Sequence, residues 1–219
     1  MKRCVIITSY ASRAESPILS SVSIRPDDYI ICADGGFAKA AAEKIIPDIV
    51  IGDFDSFFGE IPAGCRTLRL SGEKDDTDTM LCLRHGIEKG LREFVIAGGV
   101  GGRLDHTIAN MQAMSFCIDQ GGSIWISDGK NRATMIRAAL TLSRGGCGGE
   151  KSGREIPRYF SLFAYSERCF GVSVEGAKYN LCDAVLDHSF PLGVSNEFAG
   201  EEVLISVKSG KLLVVLSED

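Results

Sequence analysis

The sequence predicts an α/β protein in two parts: a mostly parallel α/β domain over residues 1–130 and a small all-β domain over 131–219. Three observations carry this. Short Val- and Ile-rich runs alternate with stretches of helical spacing through the first 130 residues. Helical spacing is absent after residue 120. Between the two patterns lies Ser127-Asp128-Gly129-Lys130-Asn131, a run of turn formers.

The apolar runs fall at 4–8, 29–33, 48–51, 66–70, 94–97 and 123–127, and they read as strands buried on both faces. Three helices are expected among them. Residues 36–46 carry Phe37, Ala40, Ala41 and Ile45; residues 76–91 carry Met80, Leu83, Ile87 and Leu91; residues 105–119 carry Ile108, Ala109, Met111, Ala113, Phe116 and Cys117. Spacings of three and four place each set on one helix face. Strand–helix alternation of this kind builds a Rossmann-like three-layer domain, a parallel sheet covered on both faces. After the turn, strands are expected at 133–142, 159–165, 169–175, 184–187, 203–208 and 211–216, the last two joined by a hairpin at Ser209-Gly210. They make a β-sandwich. Residues 144–154 hold five glycines in eleven positions and read as a loop.

Composition narrows the function. The chain has 219 residues, 45% hydrophobic and 24% charged, enough to bury a sizeable core. The net charge is −5 with no basic run longer than two residues, which argues against nucleic acid as a partner. An acidic chain still binds a polyphosphate through a divalent cation. The eight cysteines are never closer than thirteen residues, so no zinc spacing exists, and reduced thiols in a cytoplasmic protein are expected. The run Cys4–Ile7 is too short for a signal peptide, and no run reaches membrane-spanning length.

The residues with chemical potential cluster where strands should end, which is where ligands bind in open parallel sheets. Asp34-Gly35-Gly36 follows the second strand; it is a close-approach loop for an anion or simply a tight turn. Gly52-Asp53-Phe54-Asp55-Ser56 follows the third. In extended backbone Asp53 and Asp55 point the same way, and two converging carboxylates suit Mg²⁺, or else Asp55 caps a turn. Glu73-Lys74-Asp75-Asp76-Thr77-Asp78 opens the second helix, where acids suit the dipole and Thr77 or Asp75 caps, but where Asp78 could also join the carboxylate set. Gly98-Gly99-Val100-Gly101-Gly102-Arg103 makes a phosphate cradle with a guanidinium clamp; Asp105 and His106 follow, as cap or as site residues. In the β half, Tyr179, Ser195 and Asn196 offer hydrogen bonds and a stacking face, or form a polar loop. No nucleophile arrangement stands out. Carboxylates, glycine cradles and one arginine describe phosphoryl transfer.

In this order, ADGG at 33–36, GDFDS at 52–56, KDDTD at 74–78, GGxGGRxDH at 98–106, GxKYxL at 176–181 and SNE at 195–197 resemble thiamine pyrophosphokinases. The resemblance implies an α/β nucleotide- and metal-binding domain followed by a β-sandwich thiamine-binding domain. It implies transfer of a diphosphate group from Mg-ATP to the hydroxyl of thiamine, giving thiamine diphosphate and AMP, in a homodimer with shared active sites. Asp53, Asp55 and Asp78 would hold Mg²⁺. Asp34, Gly35, Gly36, Lys74, Thr77, Gly98, Gly99, Gly101, Gly102 and His106 would surround the nucleotide, with Arg103 and Asp105 beside it. Ser195, Asn196 and Tyr179 would meet thiamine. Some members carry a C-terminal stacking tryptophan; here the only tryptophan is Trp125, which leaves Tyr179 and Phe198 as candidate stacking faces. The hydroxyl proton would pass to Asp78 or Asp105. Two rival functions fit the same motifs: a pyrophosphokinase for another small alcohol such as a hydroxymethyl pterin, and a non-enzymatic nucleotide or thiamine-diphosphate sensor.

Overall fold

The computed structural model describes residues 2–9, 22–54, 65–69, 76–144, 146–147 and 157–218. Two compact units result, Met1–Gly129 and Lys130–Asp219. Asp55, Lys74 and most of the 144–154 loop lie outside the described residues.

Among the described residues the first unit holds six strands: β1 (Arg3–Ile7), β2 (Tyr29–Ala33), β3 (Ile49–Gly52), β4 (Arg66–Arg69), β5 (Glu93–Ala97) and β6 (Ser123–Ser127). They pair in the order β6-β5-β1-β2-β3-β4, every pair parallel. All residues of β1, β2 and β3 are buried, as their Ile, Val and Cys content requires of central parallel strands. β4 departs from the expectation of burial on both faces. It is the edge strand, Arg-Thr-Leu-Arg, and all four side chains are exposed. The chain runs outward from β1 to β4 and returns to β5 on the other side, so the carboxyl end of β1 is the topological switch point.

Three helices connect these strands: α1 (Gly36–Ala42), α2 (Asp78–Glu88) and α3 (Leu104–Asp119). α1 begins hard against β1, since a Cβ at Gly36 would stand 2.1 Å from the Ile7 carbonyl oxygen. It ends earlier than its periodicity suggests. Lys44 takes a left-handed φ of 59°, and the N–H groups of Lys44 and Ile45 bond back to the Ala41 and Ala40 carbonyls, a Schellman stop. α3 buries Asn110, Ala113, Met114 and Cys117. Ile108, expected on that face, is exposed, and the polar Asn110 takes the inward position.

The second unit is all β: β7 (Arg132–Ile136), β8 (Ala139–Ser143), β9 (Gly146–Cys147), β10 (Tyr159–Ala164), β11 (Arg168–Glu175), β12 (Leu181–Asp187), β13 (Gly193–Glu197), β14 (Glu202–Ser206) and β15 (Leu212–Ser217). Antiparallel ladders run β13-β10-β15-β7 and β12-β11-β14-β8-β9. Four expectations change here. Gly146-Cys147, inside the run expected to be a loop, forms the short strand β9 paired with β8. The run 133–142 breaks at Arg137-Ala138 into β7 and β8, which belong to different ladders. β14 and β15 also belong to different ladders, so Ser209-Gly210 is a crossing and not a hairpin. Gly210 is required there: its φ is 99°, and a Cβ would meet the Arg168 carbonyl oxygen at 2.7 Å. Finally, the polar stretch around Ser195 is a strand, β13. In β15, Leu212, Val214 and Leu216 are fully buried while their neighbours are half-exposed, so the ladder has one core face. Among the described residues no helix is long and apolar enough to cross a membrane.

Candidate active site

A cleft of about 230 Å³ lies at the carboxyl ends of β1, β2 and β3. Thr8 and Ser9 enter it from β1, Asp34 from β2 and Asp53 from β3. Asp76, Thr77 and Asp78 enter from the start of α2, and His106 from α3.

Asp34 is its most constrained member. Its φ is 41°, a left-handed conformation that aspartate tolerates better than most residues, and its N–H donates to the Ile51 carbonyl at 2.8 Å. Among the described residues its Oδ1 is buried without a hydrogen-bond partner. Burial raises its pKa most; the charges of Asp78 and Asp53 raise it further, while the N–H groups of Gly35 and Phe54 pull it down. Asp34 therefore lies within electrostatic reach of both Asp53 and Asp78. The extended backbone that would align Asp53 with Asp55 ends at Asp53, because Phe54 has a φ of 63°.

Thr77 caps α2, its hydroxyl accepting the Met80 N–H at 3.2 Å, and Asp78 occupies the first turn. The helix N-terminus thus opens on the cleft. Asp76 pairs with Arg84 at 3.1 Å.

The glycine loop uses left-handed φ values at Gly98, Gly99 and Gly101. Asn110 holds it: its amide donates to the Gly99 carbonyl at 2.7 Å, buried inside α3. Arg103 and Asp105 form a two-pronged ion pair, Nε to Oδ1 at 3.1 Å and Nη2 to Oδ2 at 2.5 Å, and both side chains are exposed. Asp105 also accepts the His106 N–H. The Arg103 hydrogen bond holds the Asp105 carboxyl below the usual carboxylate range. Of the glycine-loop motif, only His106 lines the cleft; Gly98, Gly99, Gly101, Gly102, Arg103 and Asp105 do not.

In the second unit, Asn196 is buried, and its side chain bonds the backbone of Tyr179. Ser195 is exposed with a φ of 58°, and its N–H donates to the Ser161 hydroxyl at 3.0 Å. Tyr179 is 62% exposed, whereas Phe198 packs edge-on against Phe160 at 5.7 Å in the core. Phe198 is thereby removed as a stacking face. Trp125, in β6, is partly buried and packs against the buried cluster of the first unit.

Thr8, Ser9 and Asn110 were not singled out by their sequence context. Applying the strand-end rule to β1 finds the first two. Nothing in the sequence marks Asn110 beyond an amide in an apolar stripe.

The Asp34 carboxylate, with an oxygen buried and unpartnered among the described residues and the charges of Asp53 and Asp78 acting on it, suits a hard divalent cation as an oxygen donor beside those two. Among the described residues no group of three His, Cys, Asp or Glu side chains is gathered closely enough to hold one alone. Phosphate oxygens would complete such a shell, as is usual for Mg²⁺.

Two family models match the chain: thiamin pyrophosphokinase, catalytic domain, over residues 23–126, and thiamin pyrophosphokinase, vitamin B1 binding domain, over 151–212. A thiamine pyrophosphokinase of Bacillus subtilis (strain 168) is 29% identical over 194 residues, 86% of this chain and 87% of that protein. The crystal structure of thiamine pyrophosphokinase from Bacillus subtilis superposes with a TM-score of 0.86 at 25% identity, over all of both chains. That of thiamin pyrophosphokinase from Geobacillus thermodenitrificans gives 0.81 at 24% identity, over 99% of this chain and 98% of the other, a likeness of fold.

Proposed function

This chain belongs to the thiamin pyrophosphokinase family, and we infer that it transfers the diphosphate group of ATP to the hydroxyl of thiamine, giving thiamine diphosphate and AMP. The observation that carries the chemistry is the carboxylate-lined cleft at the switch point, with the α2 N-terminus opening on it.

In this reading the ATP phosphates lie in the cleft. Asp53, Asp55 and Asp78 would hold Mg²⁺, with the Asp34 carboxylate beside Asp53 and Asp78. A bound divalent cation offsets phosphate charge and polarises the transferring group. The α2 N–H groups and the Thr77 hydroxyl face the polyphosphate, and the left-handed loop from Gly98 lets its backbone approach it. Arg103 exchanges the two oxygens of Asp105 for two oxygens of phosphate. The thiamine hydroxyl oxygen forms a bond to the β-phosphorus while the bridge to the α-phosphate breaks, and AMP leaves. The proton goes to a carboxylate. Asp78 lines the cleft and Asp105 does not, which favours Asp78 of the two.

Several finer points are part of the same proposal. The first unit is a Rossmann-like three-layer nucleotide and metal domain, and the second is a thiamine-binding sandwich. The protein is cytoplasmic, a reading supported by the seven cysteines that are free among the described residues. It is a homodimer with shared active sites, supported by exposed Val185, Phe190, Leu192 and Val194 along one stretch of the second unit.

The test is AMP formation from Mg-ATP with and without thiamine, with the product mass recorded. Thiamine-dependent AMP and a product carrying two added phosphoryl groups support the reading. ADP with a singly phosphorylated product places attack at the γ-phosphorus and overturns it. Turnover only with another alcohol, such as a hydroxymethyl pterin, reassigns the substrate.

A further inference from the structure

Asn196 spends three of the four hydrogen-bonding positions of its side-chain amide on the protein's own backbone. Its Oδ1 accepts from the N–H of Tyr179 at 3.1 Å and from its own neighbour Glu197 at 2.9 Å. Its Nδ2 donates to the Tyr179 carbonyl at 2.7 Å. Both acceptor positions and one of the two donors are thus spent, on a side chain of a residue 7% exposed.

The same turn is stitched down elsewhere. The Ala177 N–H donates to Asn180 Oδ1 at 3.1 Å, and the Lys178 N–H donates to the Glu197 carbonyl at 2.8 Å. Ala177 bridges Phe198. The Glu197 carboxylate takes Lys178 at 2.8 Å and Arg158 at 3.2 Å. What this framework leaves outside is the Tyr179 ring, 62% exposed, with the Lys178 ammonium 5.6 Å from its centroid. A buried amide clamping both backbone polar groups of one residue, whose own side chain adds nothing to the core, is the arrangement that pre-organises a contact surface. Thiamine presents flat, partly cationic rings, and an aromatic face binds such rings by stacking and cation–π attraction.

Resting on the diphosphate-transfer reading above, we propose that Asn196 is a positioning residue for thiamine, acting through Tyr179 by fixing the backbone from which that ring is presented. Asn196 makes no direct contact with the substrate, and the ring makes it.

Steady-state kinetics of wild type, Tyr179→Leu, Asn196→Ala and the double variant test this. Each single substitution raises the KM for thiamine about tenfold, the size of a lost aromatic contact, while the KM for ATP stays within about twofold. Tyr179→Phe keeps the wild-type value, because the ring and not the hydroxyl is used. The double variant is no worse than Tyr179→Leu, since nothing remains for Asn196 to position. Additive effects in the double variant show that Asn196 meets thiamine itself and overturn the proposal. So does an unchanged thiamine KM in Tyr179→Leu. Should Asn196→Ala fail to fold, Asn196→Asp, which keeps both accepted bonds and loses the donated one, carries the same cycle with Tyr179→Leu. A wild type that forms no thiamine-dependent AMP overturns the function and this inference together. Thiamine-dependent AMP with additive variants overturns this inference alone.

Discussion

Gly52 and Asp34 touch so closely that only glycine fits: a Cβ at Gly52 would stand 2.9 Å from the Asp34 Cβ and 3.1 Å from its Oδ1. The end of β3 thereby sets where the carboxylate at the end of β2 points. Gly52→Ala must displace Asp34, and an ångström of misplacement in such a site costs on the order of a hundredfold in rate. We expect that loss in kcat with a stability cost of about 1–3 kcal/mol from overpacking. Parallel thermal melts and turnover measurements check it. Wild-type turnover in Gly52→Ala would show that the Asp34 position is irrelevant to catalysis.

Asp34→Asn separates function from stability. The folded chain raises the Asp34 pKa by burial and by the Asp78 and Asp53 charges, so it holds that proton more tightly than the unfolded chain does. Stability from this group is therefore greatest below the unfolded pKa, near 4, and is lost as pH rises through the folded value. At neutral pH the ionised carboxylate is a burden. Asparagine removes the charge and tolerates the left-handed backbone. In EDTA we expect Asp34→Asn to melt at a higher temperature than wild type. Added MgCl₂ should raise the wild-type melting temperature by mass action and close the gap. A variant that melts lower in EDTA, or a wild type indifferent to MgCl₂, would contradict the carboxylate reading.

The buried apolar runs made β1, β2 and β3 legible, since parallel strands covered on both faces leave no polar alternation to misread. The Thr77 cap was legible for a similar reason, a short hydroxyl just before helical spacing. The edge strand β4 was misjudged because Leu68 sits among charges that only an exposed edge accommodates. Ladder membership in the second unit was not legible at all. Hydrophobic content marks 133–142 as strand but says nothing about which partner each half pairs with. Of the residues the strand-end rule points at, Asp34, Asp53, Thr77, Asp78 and His106 line the cleft, whereas the paired glycines, Arg103 and Asp105 do not, and Asp55 and Lys74 lie outside the described residues. Phe198 looked like a stacking face because sequence cannot distinguish an exposed ring from one packed on Phe160.

Arg103→Lys should raise the KM for ATP about tenfold and leave the melting temperature unchanged. The pair with Asp105 is solvent-exposed on both sides, so it contributes little to folding. Its value lies in the fork, which matches two acceptor oxygens where lysine offers a point charge. Titration of initial rate against ATP, with thiamine saturating, checks this. An unchanged KM would remove Arg103 from the phosphate site.

Arg3 and Asp28 form the opposite kind of pair. Both side chains are fully buried, with Arg3 Nε donating to Asp28 Oδ1 at 3.0 Å and Nη2 to Oδ2 at 2.6 Å. Nη2 also donates to the Ser23 carbonyl, and Asp28 Oδ2 accepts the Arg25 N–H at 2.7 Å. Removing one partner strands a charge away from water, so Asp28→Asn or Arg3→Met should each cost about 3–5 kcal/mol in urea unfolding. Replacing both by apolar groups removes the stranded charge, and Arg3→Met with Asp28→Leu should recover most of the loss. Recovery stays incomplete, because the Arg25 N–H and the Ser23 carbonyl lose their partners in the double variant, at about 1–3 kcal/mol for each group that stays buried. If the double variant instead loses the sum of the two singles, the pair's value lies in organising the 23–28 segment around β1 and not in neutralising a buried charge.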